Sequence, residues 1–226
     1  MDKRSIKRQR MWQYFIEATA DIINEEGFDH ITIRKIADKA GYNSGTLYNY
    51  FSELSHVIFF ASMRFLKPYT NDVAEYLSRG NTSLEKYLLG WECLCKHSFK
   101  QPQLFHAVFI MDLGNKPDAL FEEYYQVYSS DINDFPEDLK PVLFQRSMTK
   151  RGLSLLEKAN QEGLIEEKQV ETITELTTLI WQGMLTNLLN NRYQFTPEEA
   201  TEHTMRYIRQ IVMNSNVFTV PPQKND

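Results

Sequence analysis

Apolar positions along this chain recur at three- and four-residue spacing, the period of an α-helix, and no segment alternates with the period of two that marks a strand. Trp12, Phe15, Ile16, Thr19, Ile22 and Ile23 predict an amphipathic helix over about 5–26, closed by Gly27. Ile33, Ile36 and Ala37 mark a short second helix, with Thr32 in the N-cap position and Gly41 following Ala40 where the chain must turn. Glycine takes the left-handed backbone of such a turn at little steric cost. A third helix over about Ser44–Tyr50 buries Leu47 with Phe51, and Ser44 is its expected cap. Leu54, Val57, Ile58, Ala61 and Phe65 continue the pattern to about Lys67, where Pro68 interrupts it.

The rest is helical by the same criterion. Gly80-Asn81 is a break, after which Thr82-Ser83-Leu84-Glu85 reads as a capping box opening a helix to about Ser98. Pro102 begins another, expected to end at Gly114-Asn115. A short aromatic helix follows from Asp118 to about Ser130, then a loop over Asp131–Pro136. A long helix from about Lys140 or Pro141 to Glu162 ends at Gly163. Two more are expected over about 167–192 and 197–214, the last with Thr196 as cap and Pro197 at its first position. Residues 215–226, with Pro221-Pro222, read as a disordered tail. The expected fold class is all-α: a three-helix head over 1–52, a connecting helix over 53–67, and a larger helical domain over 68–214.

The head's polar residues set its purpose. Leu47 faces inward, and Tyr42, Asn43, Ser44, Gly45, Thr46, Tyr48, Asn49 and Tyr50 are left facing outward or into the turn. That is the layout of a helix-turn-helix, whose second helix enters the DNA major groove. An ordinary helical hairpin with tyrosines decorating its surface would share the pattern. The whole chain of 226 residues carries a net charge of −5, which opposes DNA binding until it is divided. Residues 1–51 hold eight Lys and Arg against seven Asp and Glu, a net of +1, so the remainder carries −6. Five of the eight, Lys3, Arg4, Lys7, Arg8 and Arg10, fall within the first ten residues, where they can neutralise phosphates or form a solvated tail.

Here the sequence resembles the TetR family of one-component transcriptional regulators. The resemblance rests on Ala18, Ile22-Ile23, Glu25-x-Gly27-Phe28, Thr32-Ile33, Ile36-Ala37, Ala40-Gly41, Gly45-Thr46-Leu47-Tyr48 and Tyr50-Phe51, in the family's order and spacing. It spans about residues 8–60; beyond Phe60 only length and helical content agree. Two positions depart. Tyr42 stands where the family usually has an inward-packing Val, so it is expected to reach a phosphate or base edge instead. Ser52-Glu53-Leu54-Ser55 lacks the lysine that the family commonly carries at the start of its fourth helix.

The resemblance implies a DNA-binding repressor, a homodimer reading a palindromic operator, released by a small-molecule effector. Thr46 and Asn49 are the candidates for base edges. Thr32, Tyr42, Ser44, Tyr48 and Tyr50 are candidates for phosphate anchoring, with Asn43 and Gly45 in the same turn. Lys3, Arg4 and Lys7 are candidates for backbone or minor groove. The implied dimer forms through the last two helices, where Leu176, Ile180, Gly183 and Leu188 and then Met205, Ile208 and Val212 line wide apolar stripes. Gly183 in mid-helix costs about 1 kcal/mol relative to Ala, so close helix approach is a plausible compensation. The alternative, that both helices simply close a monomeric core, stays open.

The central helices are rich in large aromatics, which build plain core in most helical domains. In a regulator of this class they also suit a cavity for an apolar or amphipathic effector. Phe59, Trp91, Phe105, Phe109, Asp112, Tyr124 and Trp181 are the candidate lining, with Glu92 and His106 as further polar groups inside apolar runs. Cys93 and Cys95 point about 200° apart on a helix, so they form neither a disulfide nor a shared metal site there. The five His residues lack metal-ligand spacing, and no phosphate loop or nucleophile elbow is present, so neither cofactor nor enzymatic chemistry is expected. No apolar run approaches the roughly twenty residues of a membrane span, and a cytoplasmic protein is expected. The rival class is a helical small-molecule-binding or catalytic protein whose head serves another role.

Overall fold

The computed structural model describes residues 3–115, 117–133 and 147–214, with side chains from residue 7 onward except at 132 and 133. Among these residues every regular element is a helix, so the fold class follows the periodicity of the sequence. In chain order they are α1 (Lys3–Glu26), a 3-10 turn (Phe28–His30), α2 (Ile33–Ala40), α3 (Ser44–Tyr48), α4 (Leu54–Met63), α5 (Lys67–Ser78) and α6 (Ser83–Lys100). There follow α7 (Pro102–Phe109), α8 (Pro117–Val127), α9 (Ser130–Asn133), α10 (Met148–Gln161), α11 (Glu167–Leu189) and α12 (Pro197–Asn214).

The helix ends show the local chemistry at work. Thr82 accepts a hydrogen bond from Glu85 N, and the Glu85 carboxylate accepts in return from Asn81 N at 2.7 Å and Thr82 N, so three backbone donors are satisfied at the start of α6. Thr196 and Glu199 repeat the exchange before α12. Other ends differ from expectation. α4 stops at Met63, and Pro68 falls in the first turn of α5, where its missing N–H removes no helix bond. α7 ends at Phe109, short of Gly114, because Met111 N closes back on His106 O and Asp112 folds a turn by accepting from Gly114 N. α9 occupies the start of the segment expected as a loop. The rest of that loop, the expected helix start near Lys140 and the tail from 215 lie outside the described residues.

The chain divides into two compact units, 1–71 with 103–146 and 72–102 with 147–226. In the first, α1 packs against α2 and α4, and α4 against α8. Its core is aromatic. Trp12 stacks on Phe51 with ring centres 5.2 Å apart and meets Phe60 at 4.4 Å, and Phe59 meets Phe121 at 5.0 Å. Each ring so buried contributes roughly 1.5–3 kcal/mol relative to exposure. In the second unit α6 packs against α10 and α12, and α11 against both. A Cβ at Gly152 would lie 2.8 Å from Tyr87 Cε2, so this glycine sets how closely α10 approaches α6. Burial pushes the Cys93 thiol up to about 12 and the Cys95 thiol higher still, which makes both poor nucleophiles.

Candidate nucleic-acid interface

α2 and α3 each begin on a side-chain cap, and the turn between them opens on a glycine. Thr32 accepts from Lys35 N and caps α2, and Gly41, at φ 79°, closes it in the left-handed conformation. Asn43, not Ser44, caps α3: its Oδ1 accepts from Thr46 N at 2.9 Å and from the Thr46 hydroxyl at 3.1 Å. Both residue types serve as caps, and a one-residue shift in the start of a short helix decides between them. α3 is a single helical stretch of five residues, two fewer than expected, with Asn49 at its C-cap and Tyr50 beyond it.

A helix this short is marginal alone, so its neighbours hold it. Leu47 is fully buried beneath it. The Trp12 indole N–H donates to the Tyr50 carbonyl at 3.2 Å, and Phe15, itself fully buried, meets the rings of Tyr42 at 5.6 Å and Tyr50 at 6.1 Å. What remains outward is an exposed rim of Tyr42, Asn43, Gly45, Tyr48 and Asn49, with Thr32 also exposed and Ser44, Thr46 and Tyr50 half-buried. Thr46 spends its hydroxyl proton on Asn43, so it offers a base edge its methyl group and oxygen lone pairs rather than a donor. Tyr42 lies between the alternatives its position posed. Its ring packs on α1 beside Tyr14 and Phe15, yet it stays 38% exposed.

The cations of α2 are engaged with acids. Lys35 Nζ lies 2.6 Å from Glu26, Lys39 Nζ 2.7 Å from Glu25, and Arg34 sits 3.8 Å from Asp38. The Lys35 hydrogen bond holds the Glu26 carboxyl below its ordinary range, and Glu25 raises Lys39. Residues 41–52 contain no Lys or Arg. Lys7, Arg8 and Arg10 have no acid partner among the described residues, and the side chains of Lys3 and Arg4 lie outside them. Tyr14, 52% exposed on α1, is a member of this surface that the sequence reading missed. The signal was present: it is an aromatic lying off the buried stripe of Trp12, Phe15, Ile16 and Thr19.

The other expected sites are placed as follows. Phe59, Phe105, Phe109 and Tyr124 belong to the aromatic core of the first unit, where Phe121 lies between Phe59 and Phe109. Trp91 and Trp181 belong to the second unit, with ring centres 6.4 Å apart and the Trp181 N–H donating to Ser98 Oγ. Asp112 is exposed in its own turn and lines no core. Glu92 sits instead on a charged surface cleft of about 330 Å³, where Lys96 and Lys100 of α6 face Glu198, Glu202 and Arg209 of α12. On α11, Leu176, Ile180 and Leu188 are half-buried and Gly183 is exposed. On α12, Met205, Ile208 and Val212 are buried in the chain's own second unit, so an apolar stripe read as a dimer surface is core there. The exposed apolar side chains on these helices are Leu179, Tyr207 and Met213.

A capped α2–turn–α3 with a polar rim on its short second helix, held by a first helix, has the layout of a helix-turn-helix, the element whose second helix enters a DNA major groove. Residues 15–53 match the model for bacterial regulatory proteins of the TetR family. An HTH-type transcriptional regulator of Staphylococcus aureus (strain bovine RF122 / ET3-1) is 23% identical over 142 residues, covering 59% of this chain and 75% of that protein. A structure described as a TetR-family transcriptional regulator of Syntrophomonas wolfei superposes with a TM-score of 0.58 at 15% identity, covering 90% of this chain and 95% of that one. FadR of Thermus thermophilus, a TetR-family transcriptional repressor solved with lauroyl-CoA, superposes with a TM-score of 0.57 at 14% identity, covering 95% and 100%. Over residues 15–53 the chain is similar to the TetR-family regulators, and along most of its length it shares their all-helical fold.

Proposed function

We propose that this regulator is a repressor that binds a palindromic operator as a homodimer and is released from it by a small apolar or amphipathic effector. The observation that carries the reading is the outward rim of α3, where Tyr48 is 54% exposed and Asn49 stands free at the helix end while Leu47 anchors the helix from below. Asn49 is the leading base-reading residue, since its amide matches the paired donor and acceptor of adenine in the major groove. Tyr48 and Ser44 hold the backbone and set register. Two copies related by a two-fold axis read half-sites about one helical turn apart, or a multiple of that.

For the second copy, the supporting surface is exposed Leu179 and Gly183 with half-buried Ile180 on α11, and exposed Tyr207 and Met213 on α12. For the effector, the support is the aromatic interior of the first unit around Phe59, Phe105, Phe109 and Tyr124, together with the lauroyl-CoA held by the Thermus thermophilus relative of the same fold. Acyl thioesters are therefore the first effectors to try. Release requires that the effector favour the non-binding state by about 5 kcal/mol to move the population from mostly bound to mostly free.

The experiment is selection of duplexes from a random-sequence pool by the full chain, followed by titration of the selected duplex with and without acyl-CoA esters. Recovery of an inverted repeat, and its release by an ester, is the expected result. A pool that yields no enriched duplex at low salt overturns the proposal.

A further inference from the structure

The interface just described is short of charge where it should be richest. α2 has its two lysines tied to Glu26 and Glu25, and the twelve residues from Gly41 to Ser52 supply no cation. The donors that the surface does present are phenols. Tyr14, Tyr42 and Tyr48 are 52%, 38% and 54% exposed, and their hydroxyls have no hydrogen-bond partner among the described residues. Tyr14 and Tyr42 form one unit, with ring centres 6.4 Å apart and Tyr42 seated on buried Phe15, so a residue of α1 and a residue of the turn are held side by side. Packing on Phe15 fixes the Tyr42 ring before DNA arrives, which lowers the entropy lost when its hydroxyl meets an acceptor.

We infer that Tyr14 and Tyr42, together with Tyr48, grip the sugar-phosphate backbone through neutral hydroxyl donors, and that the salt-dependent part of DNA binding resides in the first turns of α1. The inference rests on the DNA-binding reading above and assigns Tyr14 a role in it. The physical distinction is sharp. A Lys or Arg that neutralises a phosphate releases condensed counterions and steepens the dependence of affinity on salt, by a slope of about 0.9 per phosphate. A phenol contributes a hydrogen bond and releases none. Lys7, Arg8 and Arg10, all exposed and unpaired among the described residues, are the groups left to generate that slope.

The test uses the full chain and a fluorescein-labelled duplex recovered by the selection described above, with fluorescence anisotropy measured across a range of KCl concentrations. Tyr14→Phe and Tyr42→Phe should each weaken binding about fivefold or more at every salt concentration and leave the slope unchanged, since each removes one hydrogen bond and keeps the ring on its neighbours. The combined Lys7→Gln, Arg8→Gln, Arg10→Gln variant should flatten the slope and keep the base preference. Lys35→Gln and Lys39→Gln should leave the slope as it is. Phenylalanine variants that bind as the wild type does, or a slope lost in the Lys35 or Lys39 variant, overturn the inference while leaving DNA binding intact. If no duplex is enriched, both fall together.

Discussion

The guanidinium of Arg64, one residue past the end of α4, lies 3.3 Å from the carboxylate of Asp131 in α9 and 4.3 Å above the ring of Tyr128. The same carboxylate accepts the Tyr124 hydroxyl proton, so a cation, a carboxylate and two phenols join α4 to α8 and α9. Arg64 is partly exposed, which discounts the pair, and the stacking adds to it. Arg64→Ala is expected to lower the unfolding free energy by about 1 kcal/mol. A double-mutant cycle with Asp131→Asn, read by urea denaturation, should return a favourable coupling, and additive losses would show that the two residues do not act together.

Tyr87 gives a pH dependence. Burial, the largest influence, pushes its hydroxyl from 10.0 up to about 12, against a smaller lowering by Thr177, whose oxygen lies 2.6 Å away. The folded state therefore favours the protonated phenol more than the unfolded state does. Its contribution is fully present below pH 10 and is lost as pH rises through about 12. Thermal melts between those values should fall less steeply for Tyr87→Phe than for the wild type, and parallel curves would count against it.

Asn49 and Tyr48 should separate by what they do to operator choice. Asn49→Ala is expected to cost about 1–3 kcal/mol on the selected duplex and to relax preference at one position of each half-site. Tyr48→Phe should weaken all duplexes alike. Titration against single-base operator variants checks both, and an unaltered preference profile for Asn49→Ala would remove that residue from base reading.

Gly183 tests the second-copy surface. A Cβ there meets nothing within 4 Å in the chain itself, so glycine is not required by the fold of one copy. Gly183→Leu should therefore leave the monomer folded, with its helix stabilised by up to about 1 kcal/mol. It should disrupt assembly if a partner helix approaches at that point. Light scattering after gel filtration is expected to show a shift from dimer to monomer, and a variant that stays dimeric places the partner elsewhere.

What was legible in the sequence is what depends on near neighbours. Thr32, Gly41 and the Thr82–Glu85 pair announce helix ends because the donors they satisfy lie within three or four residues. The stripe of Met205, Ile208 and Val212 was equally visible, but periodicity reports that a face is covered, not by what. Its cover is the chain itself. Arg64 with Asp131, Ser83 with Glu162 and Trp12 with the Tyr50 carbonyl join residues 67, 79 and 38 positions apart, and no local pattern encodes such pairs. The exposure of the α3 rim follows from one buried leucine and was legible, whereas the cap fell one residue earlier than expected, at Asn43. The ion pairs of Lys35 with Glu26 and Lys39 with Glu25 span 9 and 14 positions and were not legible in the sequence.

Because α3 is anchored from behind by Leu47, Trp12 and Phe15, the side chains at its tip carry almost none of the burden of folding. Tyr48 and Asn49 can be exchanged while the scaffold beneath them stays put. On the proposed reading, a lineage built on this head acquires new target sequences by substitution at Asn49, and a designer wishing to retarget it would begin with that codon.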